Sequence, residues 1–166
     1  MAKMIATLPG LDLASIDPLA ATMVARLPSQ LVIGMVGTLG AGKTALTQAI
    51  ARAAGVDAAE VTSPTFTLLQ THHGRLTLHH LDAYRVADED EFIELGVEEL
   101  FEEPDSWTIV EWADRVESVM PPETLWLKLE IESDDLRTVV AMCDDDERAK
   151  KFAEVQAALR SGDKGH

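Results

Sequence analysis

An α/β domain with a mixed, mostly parallel central sheet flanked by helices is predicted by three features of the sequence. The first is "LVIGMV", residues 31 to 36, a continuous apolar run of strand length, as expected for a strand buried on both faces of a parallel sheet. The second comes directly after that run: the glycine-rich stretch "GTLGAGKT", then Leu46, Ala49, Ile50 and Ala53 at helical spacing, with Gly55 as a stop. The third is size, since 166 residues of which 46% are hydrophobic supply one well-buried core and fall short of two ordinary domains.

"MIATLP" predicts a short edge strand, and Ser15 predicts the cap of a helix over Ile16 to Leu27, with Pro18 in its first turn. "FTLLQT" and "RLTLHHL" flank "HHG" and read as two strands joined by a tight turn, which makes the sheet mixed. From Asp88 to Asp105 the chain has ten acidic residues and no Lys or Arg. Phe92, Leu95, Val97, Leu100 and Phe101 nevertheless keep helical spacing, so this stretch predicts two short helices with an acidic outer face. "WTIVE", "TLWLKLEI" and "LRTVVAMC" predict further strands, the last two joined around "ESDD". The domain is read as residues 1–143, followed by a helical tail over 144–166 in which Phe152, Val155 and Leu159 share one face.

Composition narrows the function. Fourteen basic against 29 acidic residues give a net charge of −15, which disfavours direct binding of nucleic acid. Cys143 is the single cysteine, so an intrachain disulfide and a thiolate zinc site are both excluded. No apolar run approaches membrane-spanning length, and the expected location is the cytoplasm.

The chemistry centres on Gly37 to Thr44, which fit G-x-x-x-x-G-K-T between a strand and a helix. Glycines at 37, 40 and 42 let successive backbone N–H groups of Thr38, Leu39, Ala41 and Ala45 face a phosphate chain at the positive end of the following helix. Lys43 is expected to reach the β- and γ-phosphates, and the Thr44 hydroxyl to hold Mg²⁺. A magnesium site needs a second acid at a strand end. Glu111, at the end of "WTIVE", fits the metal shell; Asp82, at the end of "LTLHHLD", fits either the metal or the attacking water. Trp112 follows Glu111 and is a candidate neighbour of the nucleotide. His79 and His80 point to opposite faces of their strand, which argues for hydrogen-bonding roles and against a shared metal. Tyr84 and Arg85 follow Asp82 in a short loop after a strand that should end near the γ-phosphate, with surface packing as the plain alternative.

Guanine-specific proteins of this class use Asn-Lys-x-Asp, and the chain contains no asparagine, so an adenine nucleotide is expected. The rival reading is a small kinase acting on a metabolite. Kinases close an arginine-bearing lid over the transferred group, whereas the eight arginines here are scattered singly.

"GTLGAGKT", "SPTFTL", "HLDAYR", "ELGVEELF" and "VEW", in this order and at these intervals, resemble the TsaE family, also called YjeE. The match runs from about Leu31 to Trp112. The resemblance implies a small bacterial ATPase needed for N6-threonylcarbamoyladenosine at position 37 of tRNA, working with TsaD, which performs the transfer, and TsaB. It implies that Lys43 and Thr44 bind phosphate and Mg²⁺, that Glu111 completes the metal shell, and that Asp82 acts in hydrolysis. Ser63 to Phe66 resemble a switch segment, with Thr65 as the γ-phosphate contact. The family loop often has Asp at the place of Thr38 and Pro at that of Ala113, and neither change touches a phosphate- or metal-binding group.

Overall fold

The computed structural model describes residues 2–61 and 68–162. β1 (Met4–Leu11) leads through α1 (Leu13–Arg26) to β2 (Leu31–Val36) and α2 (Lys43–Ala53). β3 (Leu69–His73) and β4 (Thr77–Asp82) form a hairpin, α3 (Glu89–Glu94) and α4 (Val97–Glu102) come next, and β5 (Ser106–Glu111) returns to the sheet. β6 (Leu125–Ile131) and β7 (Arg137–Met142) form a second hairpin before α5 (Asp146–Arg160).

The strand order is β1-β7-β6-β2-β5-β4-β3. β2 pairs in parallel with β5 and β6, and β4 in parallel with β5, whereas β3 and β7 run against each strand they pair with. Only those two strands oppose the rest, so the expected mixed, mostly parallel sheet flanked by helices is the one that forms.

Alternation along β2 builds both layers. Leu31, Ile33 and Met35 join a core made by Leu19 and Met23 of α1, Leu46 and Ile50 of α2, and Phe152 and Val155 of α5. Val32 faces the opposite layer, with Phe92 of α3, Val97 and Phe101 of α4, and Val116 and Trp126. Gly34 lies on that second face, where a Cβ would stand 2.8 Å from the Trp126 ring; the missing side chain is the space the indole fills.

Two local expectations are corrected. The cap of α1 is Asp12, whose carboxylate accepts from the Ser15 N–H at 2.9 Å, so the helix starts three residues early and Pro18 falls inside it. Either side chain could cap a helix, but the Asp12 carboxylate accepts both the N–H and the hydroxyl of Ser15, which ties Ser15 into the first turn as a donor. The reversal after β3 is made by residues 74–76 and not by "HHG", since His72 and His73 still pair with Leu78 and Thr77.

Candidate functional site

The parallel strands place the ends of β2, β4 and β5 side by side. Met35 and Asp82 are both register neighbours of Glu111. In open α/β sheets the crevice beyond these carboxyl ends is where ligands bind. The loop after β2 enters α2 through Gly42, whose φ of +102° lies in the left-handed region that glycine adopts without a Cβ penalty. The first N–H groups of α2, on Lys43, Thr44 and Ala45, have no carbonyl four residues back within the helix and stand at its positive end.

Lys43 is 5% exposed and donates from Nζ to the carbonyls of Gly37 at 2.6 Å and Thr38 at 3.0 Å. Its ammonium also stands 4.0 Å from the centroid of a Trp112 ring. Burial lowers the Lys43 pKa, and the carboxylates of Glu111, Asp114 and Asp82 act against that shift. Trp112 packs at 4.9 Å against Tyr84, whose ring carries the Arg115 guanidinium on it at 5.5 Å.

Glu111 is 2% exposed, and both its oxygens are engaged. Oε1 accepts from the Thr44 hydroxyl at 3.1 Å, and Oε2 accepts from Nε2 of the fully buried His80. Asp82 accepts the Tyr84 N–H at 2.9 Å, which caps the short 3-10 turn Ala83–Arg85. Burial raises the Asp82 pKa, the Tyr84 bond opposes this, and Glu111 adds to it. The cleft between these groups has a volume of about 470 Å³ and is lined by Leu39, Gly40, Gly42, Lys43, Thr44, Ala45, Asp82, Glu111 and Trp112. A second, more apolar cleft of about 390 Å³ shares Gly42 and Ala45 with it and continues over Ala41, the start of α1 and the β6–β7 hairpin.

The fold thus gathers Lys43, Thr44, Asp82, Glu111 and Trp112 from three separate parts of the chain. Gly37 and Thr38 stand behind the first cleft as carbonyl partners of Lys43, and Ala41 belongs to the second. Thr65 and the rest of Ser63 to Phe66 lie outside the described residues. His79 and His80 do point to opposite faces: His79 bonds Thr71 and Glu103, whereas His80 bonds Glu111. Tyr84 and Arg85, in the loop after Asp82, also line the first cleft. Their position just after Asp82 was the available signal. The wall supplied by residues 134–137 has none, because the hairpin meets the loop only in three dimensions: Arg137 donates to the Gly40 carbonyl at 3.1 Å.

The family model for "Threonylcarbamoyl adenosine biosynthesis protein TsaE" matches residues 12–139. The chain is 39% identical over 119 residues to the tRNA threonylcarbamoyladenosine biosynthesis protein TsaE of Treponema pallidum, covering 71% of this chain and 87% of that one. It is 38% identical over 109 residues to the protein of the same name from Bacillus subtilis, covering 65% and 66%. The crystal structure of Bacillus subtilis YdiB superposes with a TM-score of 0.75 at 25% identity, covering 95% of this chain and 97% of that one.

Proposed function

The chain belongs to the TsaE family of threonylcarbamoyl adenosine biosynthesis proteins, and from that membership we propose a Mg²⁺-dependent ATPase that serves N6-threonylcarbamoyladenosine modification of tRNA in complex with TsaD and TsaB. The observation that carries this reading is the contact between Thr44 and Glu111 beside Lys43. A hydroxyl and a carboxylate 3.1 Å apart form a hard oxygen donor pair, the chemistry that suits magnesium. Thr44 and Glu111 would hold the ion. When bound, it supplies positive charge to the phosphate oxygens.

ATP would lie across Gly42 and Ala45, which the two clefts share, with phosphates in the first cleft and adenine in the apolar second. Asp134 and Asp135 in the second cleft are acceptors suited to the exocyclic amino group of adenine. Lys43 exchanges its loop carbonyls for phosphate oxygens and neutralises the charge that develops on them. Asp82 orients the attacking water and receives its proton, and its raised pKa makes it a stronger base than an ordinary aspartate.

A driver role is supported by the charge of the chain and by the residues exposed on the rim of the cleft. The net charge of −15 disfavours direct contact with tRNA. Leu39 and Tyr84 are 87% and 53% exposed at the edge of the first cleft, as suits a surface that a protein partner covers. The test measures phosphate release by this protein alone and with TsaD and TsaB, together with multiple-turnover tRNA modification. Stimulation, and dependence on Lys43, are expected. Transfer of label from γ-labelled ATP to a small organic metabolite without partners would instead establish a kinase.

A further inference from the structure

Among the described residues, two buried histidines keep an unpartnered ring nitrogen, His72 at Nε2 and His80 at Nδ1, and of the two it is His80 that bonds a residue of the cleft. It is 0% exposed, yet a single hydrogen bond holds its ring, from Nε2 to Glu111 Oε2. Nδ1 is buried with no hydrogen-bond partner. The adjacent His79 provides the contrast, with Nδ1 bonded to Thr71 and Nε2 to Glu103. Buried polar atoms are normally paired, so an orphaned imidazole nitrogen needs a reason for the ring to be there. The one directional contact that the ring makes supplies it.

Geometry shows what that contact does. Alternation along β4 puts His80 and Asp82 on one face, and the parallel register sets Asp82 beside Glu111. His80 therefore reaches the Glu111 carboxylate from within the sheet, while Thr44 reaches it from α2. A glutamate side chain has three rotatable bonds, and a bond to Thr44 alone would let the outer oxygen turn. With Oε2 pinned by the imidazole, Oε1 is held toward Thr44.

We propose that His80 is the positioning residue of the magnesium site: its Nε2–H fixes the Glu111 carboxylate in the orientation that presents Oε1, with the Thr44 hydroxyl, to the ion. The inference rests on the Mg²⁺-nucleotide reading of the cleft. Groups standing behind metal ligands in this way typically change metal affinity by about 10- to 100-fold when removed.

The test uses His80→Leu, His80→Gln and His80→Asn in the full chain, with ADP binding followed by calorimetry across a magnesium titration and again in chelator. The amide nitrogen of Gln reaches the place of Nε2, and that of Asn the place of Nδ1. His80→Leu should require about 10- to 100-fold more magnesium for half-maximal enhancement of ADP binding, with binding in chelator unchanged. His80→Gln should recover most of the loss, and His80→Asn should not. If Leu does not fold, the Gln and Asn pair decides alone. Equal magnesium dependence in Gln, Asn and wild type would overturn the positioning role while leaving the nucleotide site intact. A wild-type protein that binds ADP with no magnesium dependence would overturn the underlying reading as well.

Discussion

Thr44 and Glu111 are 67 residues apart in sequence and share a hydrogen bond of 3.1 Å. One sits in the first turn of α2 and the other ends β5, so the contact exists only because β5 pairs in parallel with β2, the strand that launches the phosphate loop. Replacing Thr44 by Val removes the hydroxyl at nearly constant volume. Magnesium-dependent nucleotide binding should fall, and the melting temperature should fall with it, since the buried Glu111 Oε1 loses its hydroxyl donor. A loss of nucleotide binding equal with and without magnesium would count against the pair as the ion's anchor.

Lys43 offers a direct measure of phosphate recognition. Hydrogen bonds from a charged donor contribute about 1.5–3 kcal/mol, so Lys43→Ala should weaken ATP binding by roughly 10- to 100-fold. Calorimetry decides this, and retained affinity would remove the lysine from the site.

The stacking of Lys43 on Trp112 makes binding visible. Trp107 and Trp126 are buried at 1% and 5% exposure, which leaves Trp112 as the indole that borders the cleft. Nucleotide that draws the ammonium off the ring should change tryptophan emission, and Trp112→Phe should abolish the change. A response that persists in the variant would place its origin elsewhere.

Asp82 and Glu111 should separate by function. Asp82→Ala is expected to keep nucleotide while hydrolysis falls by about 10²- to 10⁴-fold, the usual cost of losing a general base. Rates and affinities measured together test it; comparable loss of both would merge the two roles.

Asp82 also carries a pH signature. Burial beside Glu111, with His80 and Arg85 opposing, raises its pKa above the ordinary 3.8, so the folded protein holds the proton more tightly than the unfolded chain. Its contribution to stability is full below pH 3.8 and is lost as pH rises through the elevated folded value. Asp82→Asn keeps a side-chain acceptor for the Tyr84 N–H and drops the charge. It should therefore melt higher than wild type at neutral pH, and the gap should close in acid. A gap that is constant with pH would show that the carboxylate is not destabilised by burial.

Local chemistry explains why so much was legible in the sequence. The run from Leu31 to Val36, the glycines, Lys43-Thr44 and the apolar rhythm of α2 each act on neighbouring residues, so strand, loop and helix could be read in order without knowledge of contacts. Asp82 and Glu111 were recognisable as acids ending strands for the same reason. Tertiary structure decided what lies between those elements in space. The imidazole that holds Glu111, the Tyr84–Trp112 stack and the wall built by the β6–β7 hairpin depend on strand register and on which face each residue takes. The choice of Asp12 over Ser15 at the start of α1 is, by contrast, local, since one carboxylate oxygen takes both the N–H and the hydroxyl of Ser15. Periodicity reports how a segment will bury its own side chains. It does not report which distant strand end will be hydrogen-bonded beside it, because the free energy that selects that neighbour comes from packing the whole sheet.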